Sequence, residues 1–397
     1  MSVSVNTTAH LHTHATSSKA SPADVRRNNR SLIFNLLYPS HAYSRAQLGR
    51  TTGLSRVAIS DVTNDMLSEG LIYESGYETH VAGKGKRGML LGVDGERLRI
   101  ITIDLSQEHL ISGEVTNLLG TPLQHAEIAL DSQKGVDCEI IASLIERLWK
   151  EELRIGNDSG RVIGIGIAAT GVVHDGVILT STEWDWHDVD LRGMLERRFA
   201  VPVCVTNDVI CAMMTERFFG KGSGNLLFVK IDRGIGAATL VNDIPIVGEN
   251  YASGEIGHIV VDPDGAQCPC GKRGCLETIL SAPALRERMA RAANENERRQ
   301  VIADAGEHLA QAIAMPVGLL DMGDVCVWGP PDIVNDVFID TAQHYLNRST
   351  ASNFHKRTTI RRCQCGQDIT LRGATVAVAQ AAATGGETIA SRESDDI

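Results

Sequence analysis

The spacing of apolar positions changes character twice along the chain. From Asp24 onward, Leu32, Ile33, Leu36 and Leu37 form a helical stripe that stops ahead of Pro39, which cannot continue a helix. The next stretch, SRAQLGRTTGLSRVAISDVTNDMLSEGLI, repeats that spacing in two short pieces. Ser44 followed by Gln47 is a capping-box pair that opens a short helix, and Gly53 supplies a turn. Ser55 caps a second helix carrying Ala58, Ile59, Val62 and Met66 inward. This order predicts a helix-turn-helix, or else a helical hairpin used for dimerisation. LIYESGYETHVA then reads as two short strands turning at Ser75-Gly76, the wing of a winged helix. From Leu98 the pattern becomes strands alternating with helices. RIITIDL is a strand, HLISGEVTNLLGTPLQHAEIAL two more turning at Gly120, GVDCEIIASLIERLWKEEL an amphipathic helix and RVIGIGIAA a buried strand. LLFVKIDRGIGAATLVND begins a second, similar half. Two α/β halves predict two lobes with a cleft between them, the usual location for a small ligand.

Residues 1–21 are Ser, Thr, Ala and His with little to bury and read as a disordered tail; the head follows over 22–82, and a basic, glycine-rich linker over 83–97. A chain of 397 residues that is 43% hydrophobic can fill more than one core. No apolar run approaches the roughly 20 residues of a membrane span, and the N-terminus lacks a signal-peptide profile, so a cytoplasmic protein without a membrane partner is expected. The net charge of −11 conceals an asymmetry. The first 100 residues carry 12 Lys and Arg against 8 Asp and Glu, and the other 297 carry 26 against 41. A mildly basic head on an acidic body suits a polyanion at one end only. In a helix-turn-helix the N-terminal part of the second helix meets base edges in the major groove, which nominates Ser55, Arg56, Val57, Ser60 and Asn64. Lys84, Lys86 and Arg87, in GKGKRG, suit an adjacent minor groove or equally a solvated linker.

Three of the nine cysteines crowd into GHIVVDPDGAQCPCGKRGCLE. Cys268, Cys270 and Cys275, with His258 ten residues ahead of the first, make one imidazole and three thiolates, a closed tetrahedral set suited to one structural Zn²⁺ per chain. Reduced buried thiols or a disulfide are the alternatives. Cys363-Gln-Cys365, the one other close pair, has no neighbouring histidine and reads as incidental.

These residues carry a resemblance. The His258, Cys268, Cys270, Cys275 pattern, with Asn207-Asp208 after the strand VPVCVT, the Glu255-Ile-Gly-His258 element and Glu277 directly after Cys275-Leu, resembles the ROK family (repressors, open reading frames and kinases) over about residues 24–385. The resemblance implies a two-lobed, actin-like and sugar-kinase-like α/β body: one lobe over 98–206, completed by 372–390, and a second over 207–371 holding the zinc site. It also implies sugar contacts at Asn207, Asp208, Glu255, His258 and Glu277, with Asp208 in the position of the kinases' general base. Taken without the rest of the set, Asn207-Asp208 would read as a helix cap. Where the family's kinases carry an Asp-x-Gly-Gly-Thr phosphate turn, this chain reads Asp104-Leu105-Ser106-Gln107-Glu108, and the second turn is only half kept at Asp232-Arg233-Gly234-Ile235-Gly236. Without glycines to let amides approach phosphate, and with Glu108 adding repulsion, phosphoryl transfer is not expected.

The expectation is therefore a sugar-responsive transcriptional regulator, a repressor by the family's usual sense and not an enzyme. It binds an inverted-repeat duplex operator as a homodimer, or as a tetramer of such units, and responds to a sugar or sugar phosphate in the cleft. The ionised Asp208 favours the unphosphorylated form. The alternatives are a sugar kinase with an accessory DNA-binding domain and a DNA-binding protein whose body only dimerises.

Overall fold

The computed structural model describes residues 21–78, 87–130, 137–154, 160–350, 352 and 357–385. In the head, Ser21 is the cap of α1 (Pro22–Leu37): its hydroxyl accepts from the Asp24 amide while the Asp24 carboxylate accepts from the Ser21 amide. Ser21 thus belongs to the head and not to the tail; residues 1–20 lie outside the described residues. Ile33, Phe34 and Leu37 face the core, whereas Leu32, expected on the same stripe, is exposed. After β1 (Tyr43–Ser44), the Ser44–Gln47 capping box opens α2 (Arg45–Thr52), which ends at Gly53 with φ 74°. Ser55 caps α3 (Arg56–Glu69), which buries Ile59, Val62 and Met66.

The strand pairing after α3 differs from the sequence expectation. Residues 72–77 form one strand, β2 (Ile72–Tyr77), and its partner is β3 (Met89–Val93), inside the segment read as linker. Ser75-Gly76 is a bulge and not a turn, with the register shifting between Glu74 and Gly76 and Gly76 at φ 127°. MLLGV is apolar enough to pair and bury Leu91 and Val93, so it closes the head's antiparallel sheet in the order β1-β3-β2. Lys84 and Lys86 fall outside the described residues; Arg87 is described and exposed, beside the start of β3.

The first lobe is built on β4 (Leu98–Gln107), β5 (Leu110–Asn117), β6 (Pro122–Ala129), α4 (Cys138–Arg154) and β7 (Arg161–Ala169). A small antiparallel sheet follows, β8 (Val172–His174), β9 (Val177–Ser181) and β10 (Trp186–Asp190), then α5 (Leu191–Phe199), β11 (Val203–Asn207) and α6 (Asp208–Phe219). The main sheet runs β11-β7-β4-β5-β6, with β4-β5-β6 an antiparallel meander and β7 and β11 parallel to β4. Residues of α4 and α5 (Leu144, Leu148, Leu191, Leu195) pack with Ile101, Ile103 and Ile165 of the sheet.

The second lobe has β12 (Leu226–Ile231), β13 (Ile235–Val241), β14 (Ile244–Pro245), α7 (Glu277–Leu280), α8 (Ala282–Arg291), α9 (Glu295–Leu320), β15 (Asp324–Trp328), α10 (Asp336–Thr350) and β16 (Thr359–Arg362). Its sheet, β14-β13-β12-β15-β16, again joins an antiparallel meander to two parallel strands. The last helix, α11 (Ile369–Thr384), returns to pack on β7, β4 and β11 of the first lobe.

Two helices tie these parts together. α11 lies against α6 so closely that a Cβ at Gly373 would sit 1.8 Å from the Cys211 carbonyl oxygen. On its other side α11 receives α1: Arg30 Nε donates to the Ala383 carbonyl at 2.6 Å, and Gln380 donates to Asn35 at 3.2 Å. Ile33, Phe34, Leu37 and Tyr38 share one apolar cluster with Val376 and Ala379. The Tyr38 ring packs edge-on against Phe218 and Phe219 at the end of α6, with centroids at 5.3 and 5.7 Å. Head and body therefore share a core, and no free linker separates them among the described residues.

Candidate ligand cleft and metal centre

The cleft is lined where β11 gives way to α6. Asn207 caps that helix, its Oδ1 accepting from the amides of Val209 (2.9 Å) and Ile210 (3.2 Å) while Nδ2 donates to the Gly171 carbonyl at 2.9 Å. One amide hydrogen is left for a ligand. Asp208 opens α6, at the positive end of its dipole, and is 7% exposed. Lys230 of β12 donates to its Oδ2 at 2.7 Å.

Lys230, itself buried, was not nominated from the sequence. The available signal was a single charge inside the otherwise apolar run LLFVKI. Burial pulls the ammonium's pKa down, but Asp208 and Asp104 more than offset this and hold it above its usual value. Asp104 is also buried; desolvation pushes its carboxyl up against the pull of Lys230. Lys230 thus places a cation directly beside the Asp208 carboxylate, and the pair spans the two lobes.

Glu277, first residue of α7, accepts from the Ile235 amide at 3.1 Å and so ties α7 to the β12–β13 turn. Glu255 lies near Asp208 and Glu277; partial enclosure, with repulsion from both, raises its carboxyl although His258 pulls the other way. His258 Nε2 is 4.0 Å from Glu255 Oε2, on the cleft side. Its other nitrogen, Nδ1, lies 3.6 Å from Cys268 Sγ, and the Cys270 and Cys275 sulfurs are also 3.6 Å apart. In a tetrahedron the edge is about 1.6 bond lengths, so usual zinc distances give about 3.8 Å between sulfurs and about 3.6 Å from sulfur to nitrogen. All four ligand atoms lie within 4.8 Å of one another, a geometry compatible with structural zinc. The loop wraps this tightly because Gly274, at φ 65°, lets the chain pass Asp262, where a Cβ would meet a carbonyl oxygen at 1.4 Å. The Lys272 backbone amide holds the Cys270 thiol below its ordinary pKa.

The other end of the cleft is a cavity of about 390 Å³ whose walls include Asp104, Gln107, Glu108, Lys230, Asp232 and Arg233. Ionic contacts between the lobes cross it. Arg233, in the β12–β13 turn, pairs with Glu108 of the β4–β5 turn at 2.5 Å and with Glu183 at 3.1 Å. Ser106 donates its amide to Asp104 at 2.8 Å, so that N–H is not free for an anion.

In the head, Arg56 and Asn64 are exposed on α3, Val57 is 69% exposed, Ser55 is exposed and Ser60 half-buried. Asn64 Oδ1 accepts from Arg45 at 3.1 Å, which orients it across the two helices. An apolar side chain standing out as far as Val57 on a capped helix is a feature that intramolecular packing does not use.

Among known proteins, a putative xylose repressor of Caldicellulosiruptor sp. (strain Rt8B.4) is 31% identical over 268 residues, covering 66% of this chain and 65% of that one. The chain thus spans about two thirds of that relative's length. The N-acetylglucosamine repressor of Escherichia coli O6:H1 is 23% identical over 362 residues, covering 83% of this chain and 87% of the relative. Of solved structures, a ROK family transcriptional regulator homologous to the E. coli MLC protein superposes with a TM-score of 0.75 at 21% identity over 91% of this chain and 97% of the other. A ROK family glucokinase from Streptomyces griseus, in complex with glucose and AMPPNP, gives 0.59 at 21% identity over 70% of this chain and 98% of that one. These likenesses establish the mixed α/β, actin-like and sugar-kinase-like body. The ROK family model matches residues 109–381, most of the chain and nearly all of both lobes, and this protein belongs to the ROK family.

Proposed function

We propose that this chain is a sugar-responsive transcriptional repressor whose α2 and α3, with the β1-β3-β2 sheet, form a winged helix-turn-helix that reads duplex DNA. The observation that carries the proposal is the uneven treatment of the cleft. Its acidic end keeps Asp208, Glu255 and Glu277 converging beside a zinc-type brace, whereas the end where a nucleotide phosphate would enter is bridged by Arg233 with Glu108 and Glu183. Carboxylates and one amide hydrogen match the donors and acceptors of a neutral sugar. Phosphoryl transfer is disfavoured twice over: the first phosphate turn lacks its glycines and its Ser106 amide is already spent on Asp104, and a carboxylate already paired to an ammonium at 2.7 Å is a poor general base. The names of the two repressor relatives support the same reading.

In this proposal the His258, Cys268, Cys270, Cys275 set holds one structural Zn²⁺, with Nδ1 of His258 toward the metal and Nε2 toward the sugar. The zinc does no chemistry beyond fixing that imidazole. The chain acts as a homodimer on an inverted repeat. Sugar reaches the head through α6, whose first residue is Asp208 and whose last turn touches Tyr38, directly after α1. Sugar shifts the DNA equilibrium only by its differential affinity for the two arrangements, and a coupling of about 1–3 kcal/mol gives about 5- to 150-fold relief. The effector is the unphosphorylated sugar: Lys230 cancels one charge, but Glu255 and Glu277 remain against a phosphate.

Operator binding with and without matched sugar and sugar-6-phosphate pairs tests the effector; release by the phosphate alone overturns it. For the head, Arg56→Ala is expected to cost about 1–3 kcal/mol on operator DNA and little on random duplex. Neutralising Lys84, Lys86 and Arg87 should weaken both and flatten the salt dependence. Equal losses on both DNAs for Arg56→Ala would remove α3 from the major groove.

A further inference from the structure

The fold assembles a second thiol cluster from residues outside the first. Glu216 lies near the C-terminal end of α6, Cys326 in β15, and Cys363 and Cys365 just after β16, so groups from three segments meet where the end of α6 packs beside the second lobe's sheet. Glu216 Oε2 is 3.0 Å from Cys363 Sγ and 3.4 Å from Cys365 Sγ, and ligand atoms of Glu216, Cys326 and Cys363 all fall within 4.8 Å of one another. The two carboxylate oxygens are used differently. Oε1 accepts from Arg361 Nη1 at 2.6 Å and from the Lys221 amide at 3.0 Å, which fixes the group and leaves Oε2 directed at the sulfurs. Arg361 is itself clamped by Asp324 at 2.8 and 3.0 Å and reaches Cys326 Sγ at 3.4 Å.

We propose that Glu216, Cys326, Cys363 and Cys365 form a second metal site, for a thiophilic divalent ion of the zinc type, distinct from the His258 centre. Three thiolates and one carboxylate make a closed four-ligand set, and thiolate ligation selects zinc over hard cations. The polar contacts around Glu216 are those a ligating carboxylate requires: one oxygen held from behind, the other presented. Arg361 supplies the counter-charge, since three thiolates and a carboxylate around a divalent ion leave an anionic centre. A tetrahedral edge from oxygen to sulfur is about 3.6 Å, so the Glu216–Cys363 and Glu216–Cys365 contacts, at 3.0 and 3.4 Å, open slightly, while Cys365, which stands outside the Glu216, Cys326 and Cys363 group, moves inward to complete the set. Bound metal ties the end of α6, two residues from the Phe218 and Phe219 contact with the head, to the edge of the second sheet.

The test uses full-length protein prepared with reductant and without chelator. Metal analysis is expected to give about two zinc ions per chain, falling by about one in Cys363→Ser and by about one, independently, in Cys270→Ser. Replacement by Co²⁺ should show sulfur-to-cobalt charge-transfer absorption that persists in Cys270→Ser. Because the variants can misfold, thiol alkylation is also mapped on the unaltered protein: Cys363 and Cys365, both partly exposed, should be protected in the zinc-loaded form and react after chelation. About one zinc per chain with freely alkylated Cys363 and Cys365, or recovery of a Cys326–Cys363 disulfide from the reduced preparation, overturns the proposal.

Discussion

The two ends of the interlobe cleft hold similar charges and put them to opposite use. At the acidic end, Glu255 and His258 are partly exposed, Glu277 spends one oxygen on the Ile235 amide, and Cys268, Cys270 and Cys275 gather with His258 in one cluster. At the other end Arg233 is occupied by Glu108 and Glu183, and the Ser106 amide by Asp104. A carboxylate with open acceptor sites can exchange water for a ligand hydroxyl at small cost. One engaged in an ion pair must first give that pair up. Between the ends stands the Lys230–Asp208 pair, buried on both sides, which joins the lobes and belongs to neither set alone.

The comparison breaks most severely at the brace. Cys270→Ser is expected to lose the metal at the His258 centre and to weaken the sugar response at least ~100-fold, because even outer supports of a metal site are worth about 10- to 100-fold. Metal analysis together with sugar-induced thermal shifts checks this, and an unaltered shift would separate the brace from the ligand end. Next in size is the central pair. Lys230→Met leaves Asp208 and Asp104 buried without their shared cation and should cost about 3–5 kcal/mol by denaturant unfolding, Asp208→Asn should cost less because Lys230 still faces Asp104, and the double variant should cost less than the sum of the two. Additive costs in that cycle would show the two groups to be independent. The smallest effect is expected at the bridged end. Arg233 and Glu108 are each nearly half exposed, so Arg233→Ala should change stability by about 1 kcal/mol or less. ATP-dependent sugar phosphorylation should remain undetectable in that variant, since the turn at residues 104–108 still lacks glycines; turnover appearing there would show the bridge to be a removable gate.

The parts legible in the sequence were those set by neighbours in the chain. The Ser44–Gln47 box, the Ser55 cap and the left-handed Gly53 need only residues a few positions apart, and each stands where the spacing put it. The four residues of the His258 centre lie within 18 positions and were legible for the same reason. The turn was misplaced because a strand is specified by its partner: Ser75-Gly76 has turn chemistry, yet MLLGV supplies an apolar partner and the pair carries a bulge there instead.

Composition and local pattern by themselves determined the capped head, the two α/β halves, the first cysteine cluster and the loss of the phosphate glycines, since each depends on short-range geometry or on which residue types are present. Tertiary structure alone decided what lies opposite what. It set Lys230 against Asp208 across 22 residues, Arg233 against Glu108 across 125, and Glu216 against Cys363 across 147. It also folded α1 onto α11 so that head and body share a core. A buried charge is costly until a partner arrives from elsewhere in the chain, and only the packed fold names that partner.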